Sequence, residues 1–243
     1  MAKTIIAFSV TALVLVIVVP LGFILFIISF LGLKRPMGFL IYKIAQGWAR
    51  IVVVVTGCSM TVIGRENIPK KGGVCFVSNH VGIFDIILAL AYIGRPFGFI
   101  AKKELMQIPG INIWIYFLGG FFIDRRNPRK ALKTINSGIK QIKDGGAMLI
   151  FPEGTRSRGR GLAPFHPGSF KLATQSEAMI IPMAITGSYD VFEKNYRVCS
   201  VPANISFLPL VDTAKLPPED RKNFLAEKLH NDIAQALEQH YSE

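Results

Sequence analysis

Residues 121–151, FFIDRRNPRKALKTINSGIKQIKDGGAMLIF, decide the fold. Phe121, Phe122 and Ile123 make a short apolar run suited to a strand. Asn127 followed by Pro128 is a helix start, with Asn as N-cap and Pro at the first helical position. Leu132, Ile135, Ile139 and Ile142 then recur at steps of three, four and three, which is one face of a helix. Asp144-Gly145-Gly146 ends it, and residues 147–151 are the next apolar strand. Strand, helix and strand in this rhythm predict an α/β domain, a mixed, largely buried sheet flanked by helices.

The pattern extends in both directions. Strands are expected over 60–63, 73–78, 97–101, 180–185 and 204–208, the fourth broken by Pro182. Residues 64–73 read as a polar turn region and 84–92 as a helix. Pro217-Pro218-Glu219 opens a final amphipathic helix, with Phe224, Leu225, Leu229, Ile233 and Leu237 on its packing face. A chain of 243 residues suits one domain of about 200 residues plus an appendage.

With 51% hydrophobic residues and a mean hydropathy of +0.40, the chain is too apolar for an ordinary soluble domain and too polar for a bundle of membrane helices. Disorder is excluded, because disordered chains are poor in apolar residues. Cys58, Cys75 and Cys199 are widely spaced and form no CxxC pattern. That argues against a structural zinc site or disulfide framework and for a reducing compartment; no metal is expected.

The appendage is at the N-terminus. Residues 4–33 carry no charge, and about 20 apolar residues suffice to cross a bilayer. With Pro20 in the middle of the run, either one kinked span or a bent hairpin dipping into one leaflet fits. The run is too long for a signal peptide and no A-x-A site follows it. Lys34, Arg35, Lys43 and Arg50 come after it and only Lys3 before it, which places the bulk of the chain on the cytoplasmic side of the inner (cell) membrane. Residues 37–57 suit a helix at the membrane interface or a buried helix of the domain equally. The expected division is a membrane-anchoring segment, 1–57, and a catalytic domain, 58–243.

Formal net charge is +12, and it is unevenly placed. Ten Lys and Arg face three acids over 124–160, whereas 212–243 has seven acids and four bases. A basic face beside a membrane anchor points to anionic lipid or a phosphorylated substrate. No nucleic-acid module is recognisable, and a nucleic-acid partner is not expected.

Three strand ends carry candidate chemistry. In Ser78-Asn79-His80-Val81-Gly82-Ile83-Phe84-Asp85, His80 and Asp85 are five positions apart. On one continuous helix that is about 140°, so they meet only if His80 lies in the turn before the helix and Asp85 points back from its first turn. A carboxylate on one imidazole nitrogen would fix the tautomer and leave the other as a base. The bland alternative is a turn histidine beside a helix-terminal Asp, and a Ser78-His80-Asp85 triad is disfavoured by the absence of any G-x-S-x-G elbow. In Phe151-Pro152-Glu153-Gly154-Thr155-Arg156-Ser157, a carboxylate, a flexible Gly, two hydroxyls and a guanidinium fall within five residues; hydroxyl and Arg donors match phosphate oxygens, though a solvated basic loop has the same composition. The third strand ends in Asp124-Arg125-Arg126.

Taken in order, N-H-x4-D at 79–85, G-x-F-I-D-R at 120–125, F-P-E-G-T-R-S at 151–157 and the apolar I-I-P at 180–182 resemble the motifs of the glycerolipid (lysophospholipid) acyltransferases. The bacterial-type 1-acyl-sn-glycerol-3-phosphate acyltransferases are the nearest branch. The resemblance covers about residues 60 to 190 and implies a glycerol-3-phosphate acyltransferase-like fold with N-terminal membrane-anchoring helices. It implies His80 as general base and Asp85 as its orienting partner. Arg125, Glu153, Gly154 and Arg156, with the hydroxyls of Thr155 and Ser157, would bind the acceptor and its phosphate, and Ile181-Pro182 would shape the pocket. The implied reaction transfers an acyl group from acyl-CoA or acyl-carrier protein, as donor substrate and without a cofactor, to the sn-2 hydroxyl of lysophosphatidic acid. One departure stands out. Many relatives have Phe, two lysines and Gly after the third motif, where this chain has Phe165-His166-Pro167-Gly168. Another lysolipid acceptor therefore remains an alternative, as does a non-catalytic protein that binds anionic membrane.

Overall fold

The computed structural model describes residues 1–108, 110–221 and 223–242, without the side chains of Lys34, Arg35, Tyr241 and Ser242; part of the charge bias rests on Lys34 and Arg35. Helix α1 (Ala2–Ile28) and helix α2 (Lys34–Thr56) form a hairpin: Lys3, at the start of α1, lies beside Gly57, just past the end of α2. The chain reverses at Ser29–Leu33, where Gly32 takes φ 86°. Pro20 stays inside the continuous helix, and the reversal falls at Gly32 instead of at the proline. A proline removes one helical hydrogen bond, whereas reversing the chain needs a left-handed residue, and glycine reaches that conformation cheaply. Phe8, Val16, Ile17, Phe23 and Phe30 of this hairpin are exposed.

The domain alternates strands and helices as expected: β1 (Ser59–Ile63), β2 (Val74–Ser78), α3 (Phe84–Tyr92), β3 (Gly98–Lys102), α4 (Ile111–Phe117), β4 (Phe121–Ile123), α5 (Pro128–Lys143) and β5 (Ala147–Ile150). There follow α6 (Lys171–Thr174), β6 (Met179–Thr186), α7 (Ser188–Val191), β7 (Pro202–Phe207), β8 (Val211–Asp212) and α8 (Asn223–Ser242). Asn127 caps α5, its Oδ1 accepting the Lys130 N–H at 3.1 Å. The sheet runs β1-β7-β6-β2-β5-β3-β4, with β8 added to β6. It is mixed: β2, β3, β4, β5 and β6 are parallel, while β7 and β8 run antiparallel to β6.

Alternate residues of the buried strands feed two cores. Val74 and Phe76 of β2 face α2 and α3, together with Tyr42, Ala49 and Leu88. Cys75 and Val77 face α6 and α8, together with Leu172, Leu225 and Leu229. Helix α2 is thus a packing helix of the domain on one side, although Val54 and Ile51 are exposed on another.

Three details differ from the sequence reading. Strand β6 runs unbroken through Pro182. The Pro182 carbonyl accepts from the Leu208 N–H on the β7 side, so its missing N–H also points that way. On that side β8 pairs with Met179 and Ile180 and β7 takes over at Met183, so the missing N–H falls at the junction between the two partner strands. A 3-10 turn, Pro218–Arg221, precedes α8, and Phe224 lies exposed, off the packing face. The short α4 and β8 went unread because each is too short to show a period.

The parallel pairing of β2 with β5 sets their carboxyl ends side by side, Val77 opposite Ile150. The loops that follow therefore emerge together, at the edge where open α/β sheets place their ligands. Asn79 extends β2 by side chain: its Nδ2 donates to the Ile185 carbonyl at 2.9 Å and its Oδ1 accepts the Ile185 N–H at 2.8 Å. Asn79→Ala strands both backbone groups in a buried site and is expected to destabilise the domain by about 2 kcal/mol or more, measured by denaturant unfolding in detergent.

Candidate active site

His80 lies in the loop between β2 and α3, and Asp85, fully buried, lies in the first turn of α3. The structure brings them together: His80 Nδ1 is 2.7 Å from Asp85 Oδ2. The same oxygen accepts the Val81 N–H at 2.7 Å and the Gly82 N–H at 3.0 Å. A carboxylate here also sits favourably at the positive end of the α3 dipole. Because an ionised carboxylate only accepts, Nδ1 carries the proton, and the lone pair of Nε2 is left on the open edge of the ring. The imidazole stacks on Phe151, ring centroids 4.0 Å apart and planes inclined 19°, which fixes its plane. Ser78 is buried with its Oγ directed to Asn79 Oδ1, so it forms no triad with His80.

The 151–157 loop is laced to the His80 loop through backbone groups. Ser157 N–H donates to the His80 carbonyl at 2.7 Å and Arg158 N–H to the Val81 carbonyl at 3.1 Å. Glu153 Oε1 accepts the His80 N–H at 2.6 Å and Oε2 the Ala163 N–H at 3.0 Å. The sequence reading grouped Glu153 with the acceptor-binding residues. With both oxygens engaged by backbone and the residue buried, it instead holds three chain segments together. Burial pushes its carboxyl above the usual range, against the pull of the two N–H donors and of nearby His80.

Gly154, at φ 71°, presents its carbonyl to Arg125 Nη1 at 2.8 Å. A Cβ there would stand 3.1 Å from Arg125 Nη1 and 3.3 Å from His166 Cδ2, so these two cationic or titratable groups flank the glycine. Arg156 turns to Glu193, Nη1 to Oε1 at 2.7 Å, in a half-buried pair. Lys103 pairs with Asp124 at 2.9 Å, and that hydrogen bond holds the Asp124 carboxyl below the usual range.

These side chains share one cavity of about 1610 Å³. His80, Arg125, Gly154, Thr155, Arg156 and Ser157 all line it, as does His166; Glu153, Asp85 and Arg126 do not. Glu193, Arg158 and Arg160 add charge to its wall, and much of the remainder is apolar: Leu15 and Val19 of α1, Trp48 and Val52 of α2, Phe84 and Ile87 of α3, Trp114 of α4, with Thr11 of α1 among them. The N-terminal hairpin is thus part of the site, which sequence patterning did not reveal. Glu193 was also missed, because no motif surrounds it. Cys75 sits in β2 on the opposite side of the sheet from α3, its thiol pushed far up by burial, and is no nucleophile. Among the described residues no group of three His, Cys, Asp or Glu is close enough to hold a metal ion.

Against known proteins, the acyltransferase family model matches residues 59–186. The 1-acyl-sn-glycerol-3-phosphate acyltransferase of Borreliella burgdorferi is 33% identical over 190 residues, covering 78% of this chain and 76% of that one. The enzyme of the same name from Saccharomyces cerevisiae is 28% identical over 206 residues, covering 80% of this chain and 65% of its own. In fold, the crystal structure of the 1-acyl-sn-glycerophosphate (LPA) acyltransferase of Thermotoga maritima superposes with a TM-score of 0.83 at 24% identity, over 100% of this chain and 96% of that one.

Glu153→Gln keeps one acceptor oxygen of two. It is expected to cost about 1–2 kcal/mol and to speed amide exchange at His80 or Ala163, read by hydrogen-exchange mass spectrometry.

Proposed function

This chain belongs to the acyltransferase family, and from that premise we propose that it acylates the sn-2 hydroxyl of lysophosphatidic acid, giving phosphatidic acid, with His80 as general base. The observation that carries the reading is the Asp85-bound imidazole, whose open edge faces an apolar cavity also lined by Arg125 and Arg156. The acceptor phosphate lies against the two guanidiniums and the hydroxyls of Thr155 and Ser157, and its chain along the apolar wall. Nε2 takes the proton of the acceptor hydroxyl as its oxygen attacks the thioester carbon. Asp85 stabilises the imidazolium so formed. The tetrahedral intermediate collapses, the C–S bond breaks, and the thiolate leaves and is protonated. No covalent enzyme intermediate is required, because a thiolate is already a good leaving group.

The donor is acyl-CoA or acyl-carrier protein, both anionic and both attracted by a chain of net charge +12. His166 beside Gly154 favours a second reading at the acceptor: an imidazole is a weaker anchor for a phosphomonoester than an ammonium, which leaves room for other lysolipids.

We place the hairpin in one leaflet of the bilayer, with the domain on the cytoplasmic side. Helix α1 is about 40 Å long. At its start Thr4 Oγ1 accepts the Val198 N–H at 3.0 Å, and near its end Phe26 packs on Phe117 with ring centroids 5.0 Å apart. A bilayer crossing would put these two contacts of one domain on opposite membrane faces, about 30 Å apart. The exposed Ile113 and Tyr116 of α4 lie beside the end of α1, Tyr116 against Phe26 at 5.3 Å, and continue its apolar surface.

The chain in lipid vesicles, given oleoyl- or palmitoyl-CoA and lysophosphatidic acid, is expected to release thiol and form phosphatidic acid. His80→Ala should lower the rate by a factor of about 10² to 10⁴. Full activity in that variant overturns the role of His80, and thiol release without acceptor identifies a thioesterase. Replacing the exposed Ile113 by Asp is expected to weaken vesicle binding in flotation assays without lowering the melting temperature.

A further inference from the structure

A carboxylate inside a phosphate-binding cavity is at first sight misplaced, since it repels the ligand. Glu193 is such a group: it lines the cavity beside Arg156, with its side chain 14% exposed. It follows directly on α7 and Phe192. Both of its oxygens are engaged. Oε2 accepts the N–H of Ile83, immediately before α3, and Oε1 accepts Arg156 Nη1 at 2.7 Å. Gly82 makes room for this approach, because a Cβ at that position would lie 2.6 Å from Glu193 Oε2.

The two bonds have a direction. The Ile83 N–H belongs to rigid backbone between the His80 loop and α3, so it fixes the carboxylate. The carboxylate in turn fixes a guanidinium that stands on a long, freely rotating stem. One of five N–H donors is used, and the others remain for a ligand. An arginine held in one plane before binding loses less freedom when a phosphate arrives, and its fork already has the spacing of two phosphate oxygens. The same bonds tie Arg156 to the loop that carries His80, so phosphate and hydroxyl are located against one frame.

We infer that Glu193 is a positioning residue for the phosphate of the acceptor, acting through Arg156. The inference rests on the acyl-transfer reading above. Its test uses the full chain in vesicles or detergent, with lysophosphatidic acid and with monoacylglycerol, which is the same lipid without phosphate. Glu193→Gln keeps the size of the side chain and one acceptor oxygen, and removes the charge. It is expected to raise KM for lysophosphatidic acid about tenfold, the scale of one charge-assisted hydrogen bond, with little change in kcat. KM for the acyl donor and kcat/KM on monoacylglycerol should stay as in the unaltered protein. In an Arg156→Lys background the same substitution should add little, because the guanidinium it acts through is gone.

Equal losses on both acceptors, or a full additional loss in the Arg156→Lys background, overturn the inference and leave Glu193 as a brace of the fold; a lowered melting temperature would accompany that result. If the unaltered protein shows no preference for lysophosphatidic acid over monoacylglycerol, the acyl-transfer reading for this acceptor fails and the inference fails with it. If the preference is present and Glu193→Gln retains it unchanged, the inference alone fails.

Discussion

The backbone of His80 is held from both sides by a loop more than seventy residues away, and the site depends on that grip. Its N–H reaches Glu153 and its carbonyl receives the Ser157 N–H. Neither contact involves the imidazole, so the ring is left to Asp85 and Phe151. The grip is possible because β2 and β5 are parallel neighbours in register, which makes the two loops leave the sheet at the same edge. An imidazole on an isolated turn would sample several orientations. Here the backbone, the tautomer and the ring plane are each set by a separate partner, the kind of preorganisation that general-base chemistry requires.

The electrostatics of the pocket are arranged around that fixed ring. The acids in or beside its wall are engaged by donors: Glu193, which lines it, by Arg156 and Ile83, and behind the wall Asp85 by three donors and Glu153 by two backbone N–H groups. The guanidinium of Arg125 is anchored by a carbonyl, not by a carboxylate, and keeps its full charge. The result is a cavity that carries several acids in or next to its wall and still favours an anion.

The hairpin gives this pocket an apolar wall and the molecule an apolar outer surface. One side of α2 packs with α3 over the sheet, while α1 closes the cavity with Thr11, Leu15 and Val19 and leaves other apolar residues exposed. A helix that is apolar on most sides can wall a cavity with one face and leave other apolar residues exposed. That is also why its sequence says so little. A run without charged residues and with few polar ones has little amphipathic contrast from which to read which side meets the domain.

Local chemistry in the sequence determined a good deal. Alternating apolar strands and helices, the Asn127-Pro128 cap and the buried runs specify an α/β sheet, because each is a property of neighbours along the chain. The spacing of His80 and Asp85 specified their geometry conditionally, as a turn residue beside a first-turn carboxylate, and the structure meets that condition. Tertiary structure alone decided the rest. Glu153 reads as a ligand-binding acid until its two backbone partners, in other segments, are seen. Glu193 carries no local signal, since its role comes from reaching residues 37 and 110 positions away. The unbroken β6 at Pro182 depends on which strand lies on the side of the missing N–H, and the chain reversal at Gly32 instead of Pro20 depends on where α1 docks. Periodicity and motif report what a residue can do; which partner it meets is fixed only when distant segments are brought into register.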